Sequence, residues 1–299
     1  MAHIDAIPRP AAAPSSAPLG LVVPFCLTWS SAFAVGKLGL ADCPPLLLLA
    51  IRFLLAGVIL VAVAAAMGQL RGLSARGWAV LAGLGVLNHA LYLGLSFSGM
   101  TLVSSGLTAI VVSSTPVLVA AVASVALNEP MTARKALGLT LGVVGVAIVV
   151  RGRLGTGADD PAGIGLVLGA LASLTAGTLL FKRYAPKTGL AAGGGIQVLA
   201  GGLALVPASL LVEGAPAIRP TAEFALSLAY LVLVVSIGAH LLWFRILQRT
   251  TATEASAYHF LMPPLGLLFG WMILGEAVQV WDLLGIIPVA AGIRLVTRP

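Results

Sequence analysis

Residues Ser105–Arg151 read SGLTAIVVSSTPVLVAAVASVALNEPMTARKALGLTLGVVGVAIVVR, and residues Ala252–Arg298 read ATEASAYHFLMPPLGLLFGWMILGEAVQVWDLLGIIPVAAGIRLVTR. The two stretches align without gaps, and nine of their 47 positions are identical, among them a proline, a glutamate and two glycines. Each copy has an apolar run, a short polar break and a second apolar run. The copies lie 147 positions apart, about half the chain, which indicates duplication of one half.

The composition indicates that the bilayer is the solvent of this chain. Of 299 residues, 59% are hydrophobic and 9% are charged, whereas about a quarter of an ordinary soluble domain is charged. The net charge of +7 does not indicate nucleic-acid binding, because Lys and Arg stand singly or in pairs between apolar runs. Two cysteines, Cys26 and Cys43, support neither a disulfide framework nor a metal site.

Ten apolar segments are long enough to span a bilayer as helices, which takes about 20 residues each. They cover 19–38, 45–67, 77–97, 102–127, 134–150, 163–182, 190–212, 222–244, 252–274 and 280–297. The predicted fold is an all-α polytopic membrane protein. Its predicted parts are a disordered cytoplasmic tail (1–18), a first repeat with helices 1–5 (19–151) and a second repeat with helices 6–10 (162–299).

The distribution of basic residues predicts the orientation. With a cytoplasmic N-terminus, twelve Lys and Arg residues lie on the inner side and three, Arg151, Arg153 and Arg219, lie in outer loops. Both termini are then cytoplasmic. Because five helices, an odd number, separate the two copies, the halves are predicted to be inverted relative to each other. Inverted repeats are typical of transporters that alternate between inward-open and outward-open shapes around a site near the midplane.

Several motifs resemble the EamA repeat, which defines ten-helix permeases of the drug/metabolite transporter (DMT) superfamily. The two copies are Pro116…Asn128-Glu129-Pro130…Gly138…Gly145 and Pro263…Gly275-Glu276…Gly285…Gly292. The segment Trp29-Ser30-Ser31-Ala32-Phe33, followed by Lys37, resembles the family's first-helix pattern. The segment Arg52-Phe53-Leu54-Leu55-Ala56 resembles its second-helix pattern. The second copy of the first-helix pattern, near Ala176-Gly177-Thr178, lacks the Trp. The resemblance covers nearly the whole chain after residue 18 and implies an exporter of amino acids or related metabolites, or a carrier of sugars, vitamins or nucleotide sugars.

Polar and aromatic side chains within the spans are candidates for a substrate cavity, because a polar group inside a membrane needs a partner or a water-filled space. The predicted cavity residues are Trp29, Ser30, Asn88, His89, Tyr92, Thr108, His240, Trp243, Ser256, His259 and Phe260. Pro116 and Pro263 are predicted to kink their helices and to gate the cavity. Lys37 and Arg52 are predicted to supply charge nearer the outer side.

Each of these residues also has a structural interpretation. A Ser or Thr within a membrane helix commonly bonds its own backbone, and a buried His can serve as a structural hydrogen bonder. Glu129 and Glu276 lie in short turns and are expected to make helix-end contacts. The glycines of the repeat are expected to form close-packing faces between helices; they are Gly138, Gly142, Gly145, Gly285 and Gly292.

The predicted function is export of large neutral or aromatic amino acids across a bacterial-type inner membrane by alternating access. Rings, amides and hydroxyls suit a zwitterion with an apolar or aromatic body. Facilitated diffusion is favoured because no Asp or Glu lies mid-span, although histidine-based proton coupling is an alternative. Efflux of lipophilic cations or other drugs through cation–π contacts is another alternative, and so is a carrier of sugars or other metabolites.

Other classes of protein are less consistent with the sequence. An intramembrane enzyme would need a nucleophile–base pair or a metal cluster, and the spans contain no such spacing. We therefore predict no catalytic residues, no metal and no cofactor. The expected partners are a small-molecule substrate and the lipid bilayer, with no nucleic acid, and the chain is expected to be monomeric. A membrane scaffold would tolerate His89→Ala and Trp243→Ala.

Overall fold

The structure is a computed structural model, and it describes residues 17–126, 131–153, 160–215, 217–250, 255–256 and 258–297. Residues 1–16 of the predicted tail and Glu129 lie outside the described residues, as do the side chains of Phe260 and Pro263. The described chain forms ten helical segments. They are α1 (Leu19–Leu40), α2 (Pro45–Ala66), α3 (Ala75–Met100), α4 (Ser105–Val125), α5 (Ala133–Arg153), α6 (Pro161–Tyr184), α7 (Leu190–Val212), α8 (Ala222–Arg249), α9 (Met262–Leu274) and α10 (Val280–Thr297).

Nine of the helices lie within a few residues of the segments predicted from apolar runs. The ninth segment was predicted over 252–274, but α9 begins only at Met262, after a 3-10 turn at Tyr258–Leu261. Seven of the helices, α1–α4 and α6–α8, are long and apolar enough to cross a membrane by length and composition. Shorter apolar helices occur at Pro264–Leu274 within α9 and Val280–Gly292 within α10. The all-α polytopic fold with ten helices in two duplicated halves is therefore confirmed. Half one comprises α1–α5 and half two comprises α6–α10.

Helices α2 and α7, which occupy the same position in the two halves, pack along each other. A Cβ on Gly195 of α7 would lie 2.9 Å from the backbone nitrogen of Val61, and a Cβ on Gly202 would lie 2.9 Å from that of Leu54. The residue numbers of the contacting residues therefore rise along α7 and fall along α2. The two helices are antiparallel, as the inverted repeat requires.

Helices α5 and α10 make the second contact between equivalent elements. A Cβ on Gly145 would lie 2.6 Å from the carbonyl oxygen of Gly285, and a Cβ on Gly292 would meet the carbonyl oxygen of Gly138. The repeat aligns Gly145 with Gly292 and Gly138 with Gly285, so the contact is the same when the halves are exchanged. Small residues let membrane helices approach closely, and the predicted close-packing role of these glycines is confirmed.

Four helices depart from regular α geometry at equivalent positions in the two halves. Residues Val86–Leu91 of α3 and Leu231–Ala239 of α8 are π-helical. Helix α4 is interrupted by a turn at 113–114, just before Pro116, and α9 is preceded by a 3-10 turn, Tyr258–Leu261, just before Pro263. π-helical segments often occur at functional sites because they change the direction of the side chains that follow.

We predict that Gly292→Ala destabilises the protein by about 1–3 kcal/mol, because overpacking a tight contact has that cost. The new methyl group would meet the Gly138 carbonyl oxygen and lie 2.9 Å from the Gly142 nitrogen. The measurement is the Tm of the purified variant in detergent. Gly165→Ala in α6 is the control, because nothing lies within 4 Å of its Cβ. Equal Tm values for the two variants would contradict the α5–α10 contact.

Candidate functional site

Seven aromatic side chains from four helices and one turn form one buried cluster between the halves, which we call the ring cluster. Half one contributes through α1, α2 and α3, and half two through α8 and the turn before α9. The members of the ring cluster are Phe25, Trp29, Phe53, His89, His240, Trp243 and His259, each at most 6% exposed. Trp29, His89, His240, Trp243 and His259 were predicted as cavity residues, and the structure brings these five together.

The rings form a continuous series of contacts. At one end, Trp243 stacks on Phe25 with ring centroids 5.3 Å apart, and His259 contacts Trp243 edge-on at 4.7 Å. Trp29 joins this group to His240, with centroids 5.0 Å apart. His240 in turn stacks on His89 at 4.9 Å. The series therefore links α1, α3, α8 and the turn before α9, and any movement of one half relative to the other must change it.

The other end of the series is a buried arginine. His89 contacts Phe53 edge-on at 5.2 Å, and the guanidinium carbon of Arg52 lies 5.0 Å from the Phe53 centroid and 5.9 Å from that of Phe97. Arg52 is 1% exposed, and its Nε donates a 2.7 Å hydrogen bond to Ser236 Oγ. The prediction that Arg52 supplies charge nearer the outer side stays a prediction; its side chain points into the interior, toward Ser236 in the π-helical segment of α8.

Arg52 and several of the rings line a small cavity. It is lined by Trp29, Arg52, Tyr92 and His240, together with apolar residues of α1, α3 and α8. The volume of this cavity is about 10 Å³. This is roughly the room for a single water. The site is therefore closed around its own side chains, and a larger ligand requires it to open.

Other predicted cavity residues lie elsewhere or bond locally. The Asn88 amide faces Gly177 of α6, whereas the adjacent His89, in the same π-helical segment, points into the interior. Thr108 Oγ1 donates to the Ser104 carbonyl 3.1 Å away, which is the local interpretation given above. Ser30 and Ser256 are fully buried beside the cluster. Phe260 and Pro263 have no described side chains, so their predicted roles stay predictions.

Sequence reasoning missed Phe25, Phe53 and Phe97. Phe25 is four residues before Trp29 and therefore on the same face of α1, which was an available signal. Phe53 follows Arg52, and Phe97 lies on α3 eight residues after His89. Phenylalanine is common on lipid-facing surfaces of membrane helices, so its type alone did not distinguish an interior ring from a lipid contact.

The helix ends near the α1–α2 connection are joined across the halves by carboxylates; we call this the first-face seal. Glu276, in the α9–α10 connection, accepts hydrogen bonds from the Ser105 backbone nitrogen at 3.0 Å, Ser105 Oγ at 2.8 Å and the Gly106 nitrogen at 3.2 Å. It also pairs with Lys37 Nζ at 3.3 Å. Glu276 therefore makes the predicted helix-end contacts, at the positive N-terminal end of α4.

Two further carboxylates belong to the first-face seal. Glu213 of half two accepts from the backbone nitrogens of Leu46 and Leu47 at 2.6 and 3.0 Å, which caps α2 of half one. Asp42 pairs with Arg219 Nε at 3.2 Å and accepts from Thr221 Oγ1. All three carboxylates thus connect the halves at one face of the protein, and the ring cluster is closed from that side.

The charge on Glu276 is expected to stabilise this face. Burial raises the pKa of its carboxyl, but hydrogen bonds from Ser105 and Gly106 and the charge of Lys37 lower it by more, so the pKa lies below its ordinary value of 4.5. A carboxyl whose pKa is lowered by folding stabilises the protein above the unfolded value, and this contribution is lost as pH falls from 4.5 through the folded pKa.

We predict that Glu276→Gln lowers the Tm at pH 7 by an amount equivalent to about 1.5–3 kcal/mol, as expected for hydrogen bonds to a charged group. The difference from the wild type should shrink below pH 4.5, because the wild-type carboxyl then becomes protonated. Glu223→Gln is the control, since Glu223 is an exposed acid in the first turn of α8. A Tm difference that stays constant down to pH 3 would contradict the assignment.

Comparison with known proteins supports the duplication and the fold. The model of the EamA-like transporter family matches residues 18–151 and 161–298. The uncharacterized transporter YvbV of Bacillus subtilis (strain 168) is 29% identical over 272 residues, covering 90% of this chain and 88% of the relative. The uncharacterized inner membrane transporter YedA of Escherichia coli (strain K12) is 27% identical over 282 residues, covering 90% and 87%.

A further relative and a solved structure agree. Protein PecM of Dickeya dadantii (strain 3937) is 28% identical over 273 residues, covering 90% of this chain and 88% of the relative. One crystal structure superposes with a TM-score of 0.67 at 18% identity, covering 93% of this chain and 95% of the other, which supports the fold alone. The two family matches coincide with the two halves that the α2–α7 and α5–α10 contacts relate. The chain therefore belongs to the EamA-like transporter family: it is a multi-pass membrane transporter and not an enzyme.

Proposed function

We propose that this transporter exports large neutral or aromatic amino acids by alternating access, with the ring cluster as the substrate site. The main support for this proposal is that both halves contribute to the ring cluster and that its members contact one another across the boundary between the halves. A substrate bound among these rings would contact side chains of both halves, and it would therefore keep some of these contacts when the halves tilt. Aromatic side chains bind aromatic and apolar bodies with large contact areas.

The difference between the two faces of the protein supports entry of the substrate from one side. The first-face seal blocks one side, whereas a polar groove of about 720 Å³ lies at the opposite helix ends, lined by the α2–α3 and α6–α7 connections. The groove contains Gln69, Arg71, Lys182 and Lys187. With the termini cytoplasmic, as the basic residues predict, the groove faces the cytoplasm and the first-face seal faces outward. A substrate would then enter from the cytoplasm and leave when the first-face seal opens.

The composition of the site favours substrate transport that is not coupled to protons. Among the described residues, no Asp or Glu contributes to the ring cluster or lines the cavity beside it, and carboxylates are the usual proton carriers within membranes. The three histidines of the cluster are each held by ring contacts. We therefore propose facilitated diffusion along the substrate gradient, in the inner membrane, where the E. coli relative is named as a transporter.

The test is efflux of labelled phenylalanine from liposomes that contain the purified protein. We expect saturable efflux that is equal with and without a pH gradient. Trp243→Ala should slow it by about tenfold or more, because the variant loses ring contacts and buried area at the site. Trp271→Ala is the matched control, since Trp271 is 60% exposed on α9 and belongs to the lipid-facing surface.

The contradicting outcomes are distinct. Folded protein without efflux above protein-free liposomes would refute the amino-acid proposal, and efflux of tetraphenylphosphonium instead would favour the lipophilic-cation alternative. Efflux that follows the pH gradient would refute uncoupled transport. Equal losses in Trp243→Ala and Trp271→Ala would remove the ring cluster as the site.

A further inference from the structure

Arg52 is a buried charge with incomplete partners. Its guanidinium has five N–H donors. Nε donates to Ser236 Oγ, whereas Nη1 is buried and has no hydrogen-bond partner among the described residues. The structure records ion pairs at Lys37 and Arg219, but Arg52 pairs with no carboxylate in the described part of the chain. The remaining contacts are with the faces of Phe53 and Phe97.

A purely structural role does not account for this arrangement. An arginine within a membrane span costs several kcal/mol unless it is paired or hydrated, and one hydroxyl acceptor with two ring contacts leaves most of that cost unbalanced. Arg52 is the eighth residue of the 22-residue α2, so it lies about 5 Å from the helix midpoint at 1.5 Å per residue. It cannot reach the bilayer surface without leaving the cavity.

The position of Arg52 relative to the cavity indicates what the missing partner is. Arg52, whose Nη1 is buried without a partner, lines the same small cavity as Trp29, Tyr92 and His240. The guanidinium fork matches a carboxylate, which accepts two parallel N–H bonds. An anionic group that arrives with the substrate would supply the counter-charge that the protein itself does not provide.

We propose that Arg52, positioned by Ser236, binds the carboxylate of the transported molecule, while the ring cluster holds its apolar or aromatic body. This inference rests on the proposed function, because it assigns one end of the same site. It makes the substrate class carboxylate-bearing small molecules, zwitterions or anions with an apolar body. It also disfavours lipophilic cations, because a positive charge in this cavity would be placed beside an uncompensated guanidinium.

The test measures binding to the purified protein in detergent by calorimetry, with three probes that share a phenyl ring. They are phenylalanine, 3-phenylpropionate, which keeps the carboxylate but lacks the amino group, and phenylalanine amide, which keeps the amino group but lacks the carboxylate charge. We expect the wild type to bind both carboxylates about ten- to a hundredfold more tightly than the amide, as charged hydrogen bonds imply.

The variants assign this preference to the arginine. Arg52→Gln should remove the preference for carboxylates, because carboxylate binding weakens and the amide, whose ammonium group no longer meets a like charge, binds no more weakly than to the wild type. Arg52→Lys should retain part of the preference because a lysine keeps the charge but not the fork. Arg76→Gln, an exposed arginine at the start of α3, is the control and should bind all three probes as the wild type does. If Arg52→Gln does not fold, Ser236→Ala and the wild-type series decide, with a loss of preference expected for Ser236→Ala.

The outcomes separate this inference from the proposed function. Binding of 3-phenylpropionate through Arg52, without binding or efflux of phenylalanine, would retain the carboxylate site and refute the amino-acid substrate. Phenylalanine efflux with equal affinity for phenylalanine and its amide would retain the proposed function and overturn the carboxylate site. A carboxylate preference that survives in folded Arg52→Gln would also overturn it, and no binding by any probe would overturn both.

Discussion

The architecture depends on backbone contacts between equivalent helices of the two halves. In α5 and α10 the carbonyl oxygens of Gly138 and Gly285 occupy the positions where Cβ atoms of Gly292 and Gly145 would stand. Lipid tails are as apolar as the helices, so close packing, more than the hydrophobic effect, drives their association in a bilayer. Because each contact is repeated when the halves are exchanged, the same geometry serves both orientations of an inverted pair. These contacts form the boundary between the halves.

The polar interior and the sealed face serve different purposes at that boundary. The first-face seal consists of carboxylates that cap helix ends and pair with Lys37 and Arg219, contacts that water can replace when the face opens. Arg52, by contrast, is buried near the middle of α2 with one hydroxyl acceptor. The cavity beside it has room for about one water molecule, and water carries no charge, so under our proposal the carboxylate of the substrate supplies the counter-charge.

The sequence contained most of the fold and only part of the site. The ten helices were predicted from the length of the apolar runs, because a bilayer of fixed thickness needs a helix of fixed length. The duplication was predicted from the alignment of the two halves, and the inversion from the odd number of helices between the copies. Five of the cluster's rings were also predictable, because polar or aromatic residues at mid-span are unusual. The direction of Asn88 and the hydrogen bond of Arg52 were not, since Asn88 lies in the π-helical segment of α3 and Ser236, the acceptor for Arg52, lies in that of α8. These segments change side-chain direction without leaving a mark in the apolar pattern.

The central claim is that the halves must separate at the first-face seal for transport to occur. It is tested by joining them there with a disulfide, using Asp42→Cys and Thr221→Cys with Cys43→Ala, because the side chains at 42 and 221 are in hydrogen-bond contact. Efflux of labelled phenylalanine is then measured from liposomes with the pair oxidised and reduced. The account predicts that oxidation stops efflux and that reduction restores it. Undiminished efflux by fully cross-linked protein would contradict alternating access through this face.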